Sequence, residues 1–194
     1  MLEAANVWGQ EVIPFLSSAI AAQIVSEPWQ LEAYYRLRRS VFAEEQGLFD
    51  QTDVDAHDAR ATAIVAMAQM AGMADEVVGV VRIYPTDPDT WFGGRLGVIP
   101  RYRSRRIVGT SLICAAVSTA RAFGCKTFLA TIQAKNVRYF EQHHFSAIEP
   151  VEVCGQPHQL MRADLEAYPA CAAWANRPVF GDVAAALMGR LRAA

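Results

Sequence analysis

Leu96-Gly-Val-Ile-Pro-Arg-Tyr-Arg-Ser-Arg-Arg-Ile-Val-Gly-Thr-Ser-Leu-Ile113 is the stretch from which the fold can be read. It runs from a short apolar strand, through an arginine-rich turn, into a helix with Gly109 in its first turn. The start of a helix presents unpaired backbone N–H groups and a partial positive charge, and so receives a phosphate readily. A glycine there lets a ligand come close to the backbone. Arg101, Arg103, Arg105 and Arg106 add positive charge around the turn. Together these features favour a diphosphate-bearing cofactor.

Outward from this stretch, hydrophobic periodicity and turn residues divide the chain into further elements. Residues 19–25 predict a first strand. Ser26 and Pro28 then start a helix, a capping hydroxyl followed by a proline in the first turn, with Leu31, Tyr34, Tyr35, Leu37 and Arg38 along it. Gly47 and the acidic segment 50–58 end that helix in a loop. Residues 61–67 and 77–84 read as adjacent strands connected through Gly72, and 92–99 as the next. Val108, Leu112, Ala115, Ala116, Thr119 and Phe123 recur at helical spacing as a core-facing stripe. Gly124 is suited to a left-handed cap. A strand at 126–132, a short helix at 136–143, and strands at 145–153 and 157–165 around Gly155-Gln156 complete the order. This order predicts an α/β sandwich with helices on both faces of a mixed, twisted sheet.

Bulk properties restrict the function. At 194 residues, with 53% hydrophobic and 20% charged residues, the chain suits one packed domain. A net charge of −2 gives no electrostatic case for nucleic acid or an anionic membrane as partner. No apolar run reaches the roughly 20 residues that span a bilayer, and the N-terminus lacks a basic segment of the secretory type. Cys114, Cys125, Cys154 and Cys171 have no metal-site spacing and read as core thiols in a reducing, cytoplasmic setting. No metal is expected: the aspartates at 53, 55 and 58 lack the glycine and terminal glutamate of a calcium loop.

Arg106-Ile-Val-Gly109-Thr-Ser111 resembles the Arg/Gln-x-x-Gly-x-Gly/Ala signature of the GNAT N-acetyltransferase superfamily, and Leu96-x-Val98-x-Pro100 resembles its fourth strand with the terminating proline. The overall look is similar to small bacterial members encoded beside nitrilases. Ile107 stands where most members have a first glycine and is expected to point away from the ligand; Ser111 replaces the last small residue, and the loop after Pro100 is one residue longer. The resemblance implies a GNAT-type domain over 19–166, between an N-terminal extension at 1–18 and a C-terminal helical tail at 167–194. Val183, Leu187, Met188 and Leu191 share one side of the tail helix, which either packs on its own domain or forms a homodimer contact.

The same resemblance implies acetyl-coenzyme A as acyl donor. Its pantetheine arm is expected along Leu96, Gly97 and Val98, and its pyrophosphate at Arg103, Arg105, Arg106, Ile107, Val108, Gly109, Thr110 and Ser111. Asn136-Val-Arg-Tyr139-Phe140-Glu141-Gln-His-His144-Phe145 resembles the closing-helix pattern of the family. This assigns Asn136 and Phe140 to the cofactor wall. Phe140 stands where the family's usual tyrosine would protonate the thiolate, so Tyr139 next to it is the candidate acid. Arg36-Leu-Arg-Arg-Ser-Val-Phe42-Ala-Glu-Glu45-Gln46 and Asp55-Ala-His57-Asp58 resemble a variant first helix and an Asp-x-x-Asp element that border the acceptor pocket. They suggest Phe42, Asp55 and Asp58 as substrate-binding residues and Glu45 as the base. The family's frequent acid on the fourth strand is missing, since Arg95 precedes Leu96.

The implied activity is transfer of an acyl group, acetyl first, to an amine of a small molecule within a ternary complex. The alternatives are a coenzyme A-binding sensor or structural module without turnover, and an enzyme similar to acyl-homoserine lactone synthases.

Overall fold

Ile64, Ala66 and Ala68 are buried in one apolar cluster while Val65 and Met67 belong to another. That is the alternation of a strand covered on both faces. In the computed structural model, which describes residues 16–17, 19–70 and 73–170, this strand is β2 (Thr62–Met70). It pairs with β1 (Ile20–Ile24) and β3 (Met73–Pro85). The sheet continues through β4 (Thr90–Val98) and β5 (Thr127–Gln133), and closes with β6 (Phe145–Val153) and β7 (Gln156–Ala163). Its seven strands lie in the order β1-β2-β3-β4-β5-β7-β6, with only β4 and β5 parallel.

Helix α1 (Pro28–Arg38) covers one face through Leu31, Tyr34 and Leu37. Helix α2 (Arg106–Ala122) covers the other through Val108, Leu112 and Ala116. The predicted stripe is thus the buried side of α2, with Phe123 half-buried at its end. Gly79 permits α2 to lie this close to β3: a Cβ there would come within 2.8 Å of Leu112. The expected fold class, a mixed α/β sheet with helices on both faces, is the one observed.

Several local expectations change. The Ser26 hydroxyl does not cap a helix amide; the side chain of Gln30 reaches back instead, accepting from the amides of Ser26 (2.9 Å) and Glu27 (3.2 Å). After Arg38 the helix widens into a seven-residue π-helical stretch, Arg39–Glu45. The acidic loop contains a 3-10 turn, Ala56–Arg60. Strand β3 starts earlier than predicted because Met73 and Ala74 pair across the hairpin with Met70 and Gln69, although polar and exposed residues follow. The closing helix α3 is short (Val137–Glu141), preceded by a 3-10 turn at Ala134–Asn136. Cys154 and Gly155, both at positive φ, form the β6–β7 turn. Among the described residues Cys114 and Cys154 are exposed and only Cys125 is buried, so the first two are not core thiols. Gly72, Cys171 and the expected tail helix lie outside the described residues.

Candidate active site

Strands β4 and β5 pair at Thr90↔Thr127 through Gly93↔Ala130, and their pairing ends there. The cause is visible on the other edge of β4. Gly94 faces Arg82 and Gly97 faces Val80, with a register shift between, so Arg95 and Leu96 together oppose Val81. This bulge turns Arg95 into the left-handed region at φ 55° and swings the rest of β4 away from β5. A cavity of about 380 Å³ occupies the gap, lined by Leu96 on β4, by Thr131 and Gln133 on β5, and by Phe42, Asn136 and Phe140.

Helix α2 meets the cavity at Ile113, Ala116 and Val117, and its first residues, which no side chain caps among the described residues, stand outside the lining. Arg103, Ser104, Arg106 and Ile107 are exposed there. Val108 and Gly109 are buried, and Thr110 and Ser111 are half-buried. The arginines are partly engaged. Arg103 grips Glu45 with both Nη atoms at 2.6 Å and donates to the carbonyl of Val98 at 2.8 Å. Arg105 donates to the Ser17 carbonyl (3.2 Å), and Arg106 to Gln142 (2.5 Å).

The structure corrects the role of Gly109. A Cβ at that position would lie 2.6 Å from the Tyr139 hydroxyl, so what approaches this backbone is α3 and not open space. Tyr139 lies 3.4 Å from both Thr110 Oγ1 and the Arg106 carbonyl, and His143 Nε2 lies 2.8 Å from Thr110 Oγ1. Tyr139 is not among the cavity-lining residues; Phe140 is. One step along α3 turns a side chain by about 100°, which separates the two rings between the helix start and the cavity.

Glu45 also stands apart from the cavity lining. Its bond to Arg103 lowers its pKa, so its surroundings favour a structural anion over a proton acceptor. Asp55 and Asp58 separate as well. Asp58 is buried beneath the cavity against Arg38 and Arg82, which removes it from contact with any acceptor. Asp55 lines the cavity, yet its oxygens receive Arg82 (2.7 and 2.9 Å), Arg95 (3.3 Å) and the His57 amide (2.9 Å). Burial pushes its carboxyl up, but the Arg82 hydrogen bonds and charge bring it down to about 2.

These aspartates belong to a lattice that sequence reading missed. Arg38, fully buried, bonds Asp53 (2.8 Å), Asp58 (3.1 Å) and the Tyr34 hydroxyl (3.1 Å). Arg95 contacts Asp53 at 2.9 Å. A charged residue inside the apolar run Val77–Tyr84 was the available signal for Arg82; nothing comparable marked Arg95. His158 was missed too. It is buried on β7, lines the cavity and holds Nδ1 2.8 Å from the Gln156 carbonyl. A carbonyl only accepts, so Nδ1 carries a proton, and in the neutral ring Nε2 is the nitrogen that accepts.

Among solved structures, the fold is similar to Escherichia coli ElaA (TM-score 0.63, 24% identity, covering 75% of this chain and 100% of that one). It is also similar to an acyl-CoA N-acyltransferase from Pseudomonas aeruginosa (TM-score 0.59, 23% identity, covering 75% and 99%). A CoA-dependent acyl-homoserine lactone synthase, BjaI, solved with SAM and isopentyl-CoA, matches over 90% of both chains (TM-score 0.60, 18% identity). No curated protein matches the chain by sequence. The description "Acetyltransferase (GNAT) family" matches residues 23–145, a span that starts in β1, ends at the first residue of β6 and contains both the fork and the uncapped helix start. The chain belongs to the GNAT acetyltransferase family.

Proposed function

We propose that this protein is an acyl-CoA-dependent N-acyltransferase that moves an acyl group, acetyl in the first instance, directly to an amine of a small molecule. The observation that carries this reading is the parting of β4 from β5 after Gly93↔Ala130, over a cavity that meets α2 at Ile113, Ala116 and Val117. An open strand edge leaves backbone N–H and C=O groups without sheet partners, which fits the amide-bearing arm of coenzyme A. The exposed arginines 103 and 106 fit its phosphates. When bound, acyl-CoA supplies an activated thioester carbonyl.

The residues of this chain do the rest. The backbone of Leu96, Gly97 and Val98 holds the arm, although Arg103 already occupies the Val98 carbonyl. Asn136 and Phe140 close the wall of the cavity. Thr110 and Tyr139 put hydroxyls beside the helix start, so Tyr139 serves phosphate binding better than thiolate protonation. Phe140 has no hydroxyl, and that proton falls to water. The acceptor nitrogen has to lose a proton as the amide forms. Of the groups facing the cavity, Asp55 is held by arginine and His57 has Nδ1 3.2 Å from Arg60. His158 has Nε2 free of partners among the described residues, and we assign it the role of proton acceptor.

The test combines acetyl-CoA with a panel of amines, following thiol release, with thermal-shift measurement of acetyl-CoA binding in parallel. Thiol release that depends on the amine supports transfer. Binding without release across the panel would instead identify a coenzyme A sensor.

A further inference from the structure

We propose that the acceptor is an amino acid, or another small amine with a carboxylate one or two carbons from its nitrogen, whose carboxylate docks on Arg95. This rests on the acyl-transfer reading and names the substrate class for the same site.

Arg95 is placed at the fork itself. It sits in the bulge next to Leu96, two residues beyond the last β4–β5 pair at Gly93, and faces the cavity. Its φ of 55° is a strained conformation for a side-chain-bearing residue, of the kind retained where the surroundings need it. The guanidinium is held rigidly. Nε lies 2.9 Å from Asp53 Oδ2, Nη2 donates to the Asp53 carbonyl at 3.0 Å, and the plane lies 4.5 Å from the centre of the Phe49 ring. Nη1 makes no hydrogen bond among the described residues, so two N–H groups of a fixed, partly desolvated cation are available. Such a group suits a carboxylate better than any neutral ligand.

The balance of the lattice points the same way. Asp55, expected to bind the substrate, already receives four hydrogen bonds. Asp53 and Asp58 do not line the cavity. Among the described residues donors exceed acceptors there, since Arg82 Nε is buried without a partner. Burial and the neighbouring Arg82 both disfavour the charged form of Arg95, and an anion would relieve that conflict. A carboxylate on Arg95 keeps a nearby amine at the mouth of the fork, where the thioester is expected. Phe42, Phe49, Tyr84 and Phe92 around the cavity favour an apolar side chain.

The experiment compares matched pairs with acetyl-CoA and the full-length chain: phenylalanine against 2-phenylethylamine, and leucine against isopentylamine. The proposal expects kcat/KM at least about 100-fold higher for each amino acid. In Arg95→Gln that preference should collapse about 10- to 100-fold, mainly through KM, while Arg95→Lys keeps an intermediate preference. The acetyl-CoA thermal shift of each variant confirms that it is folded. Equal or better use of the decarboxylated amines, or a preference unaltered in Arg95→Gln, overturns the proposal. Calorimetric titration of phenylalanine without donor reads the site separately. Binding that weakens in Arg95→Gln without any turnover would retain the site and sink the transfer reading, whereas turnover of amines with no amino-acid binding would do the reverse.

Discussion

Asp55 lies at the boundary between the buried ion lattice and the cavity, and its proton equilibrium reports on both. Its carboxyl titrates at about 2 in the folded chain, against 3.8 ordinarily. A depressed folded value means that the unfolded state binds the proton first as pH falls. Stability from this group is therefore complete above about pH 4 and disappears as pH drops toward 2. Asp58 is displaced in the same direction, with its bonds to Arg38 outweighing burial. Denaturant unfolding followed from pH 6 to pH 2 should show a loss of stability that begins near pH 4, and Asp55→Asn should flatten part of it. A second prediction at this scale concerns His158. Replacing it with Ala should lower kcat about 100- to 1000-fold with little change in acetyl-CoA affinity, and added imidazole should restore part of the rate. Imidazole rescue would not follow if His158 served packing alone.

Between elements, the contact of α3 with the start of α2 is the most sensitive. A Cβ on Gly109 would stand 2.6 Å from the Tyr139 hydroxyl. Gly109→Ala forces the two apart, at a cost of about 1–3 kcal/mol for overpacking, and should weaken acetyl-CoA binding by displacing α3. Combining it with Tyr139→Ala should recover stability, a non-additivity that a double-mutant cycle in denaturant would reveal. Gly109→Glu adds like charge beside the proposed phosphate site and should abolish the acetyl-CoA thermal shift. Unchanged affinity in that variant would exclude this corner as the phosphate site. The π-helical stretch after α1 has a complementary role: it sets the Phe42 ring 3.5 Å from where a Cβ on Gly97 would stand, packing this wall of the cavity against β4.

At the scale of the molecule, the Arg–Asp lattice ties α1, the loop at 53–58, β3 and the bulge of β4 into one unit. Arg38 is its centre. Arg38→Met leaves Asp53 to Arg95 and Asp58 to Arg82 but removes the buried cation between them, and removing one side of such a buried pair typically costs about 3–5 kcal/mol. Chemical denaturation should show a loss of that size, well beyond the effect of Arg36→Met, whose ion pair with Glu32 is exposed.

The sequence by itself determined the order of elements, the helices on both faces and the corner where β4 leads into α2. These follow from local periodicity, a proline, a glycine and a run of arginines, each legible within a few residues. Resemblance to a family pattern also singled out Phe42, Asp55, Leu96, Asn136 and Phe140, and the structure sets all five around one cavity. Only the tertiary structure decided which titratable groups are free. Glu45 and Asp58 read as candidate chemistry along the chain, yet Arg103 and Arg38 hold them, across sequence separations of 58 and 20 residues. Arg95 and His158 carried no local signal. Their placement comes from a bulge and from a strand pairing, Gln133↔His158, and charge pairing between distant segments is fixed only once the sheet has set their register.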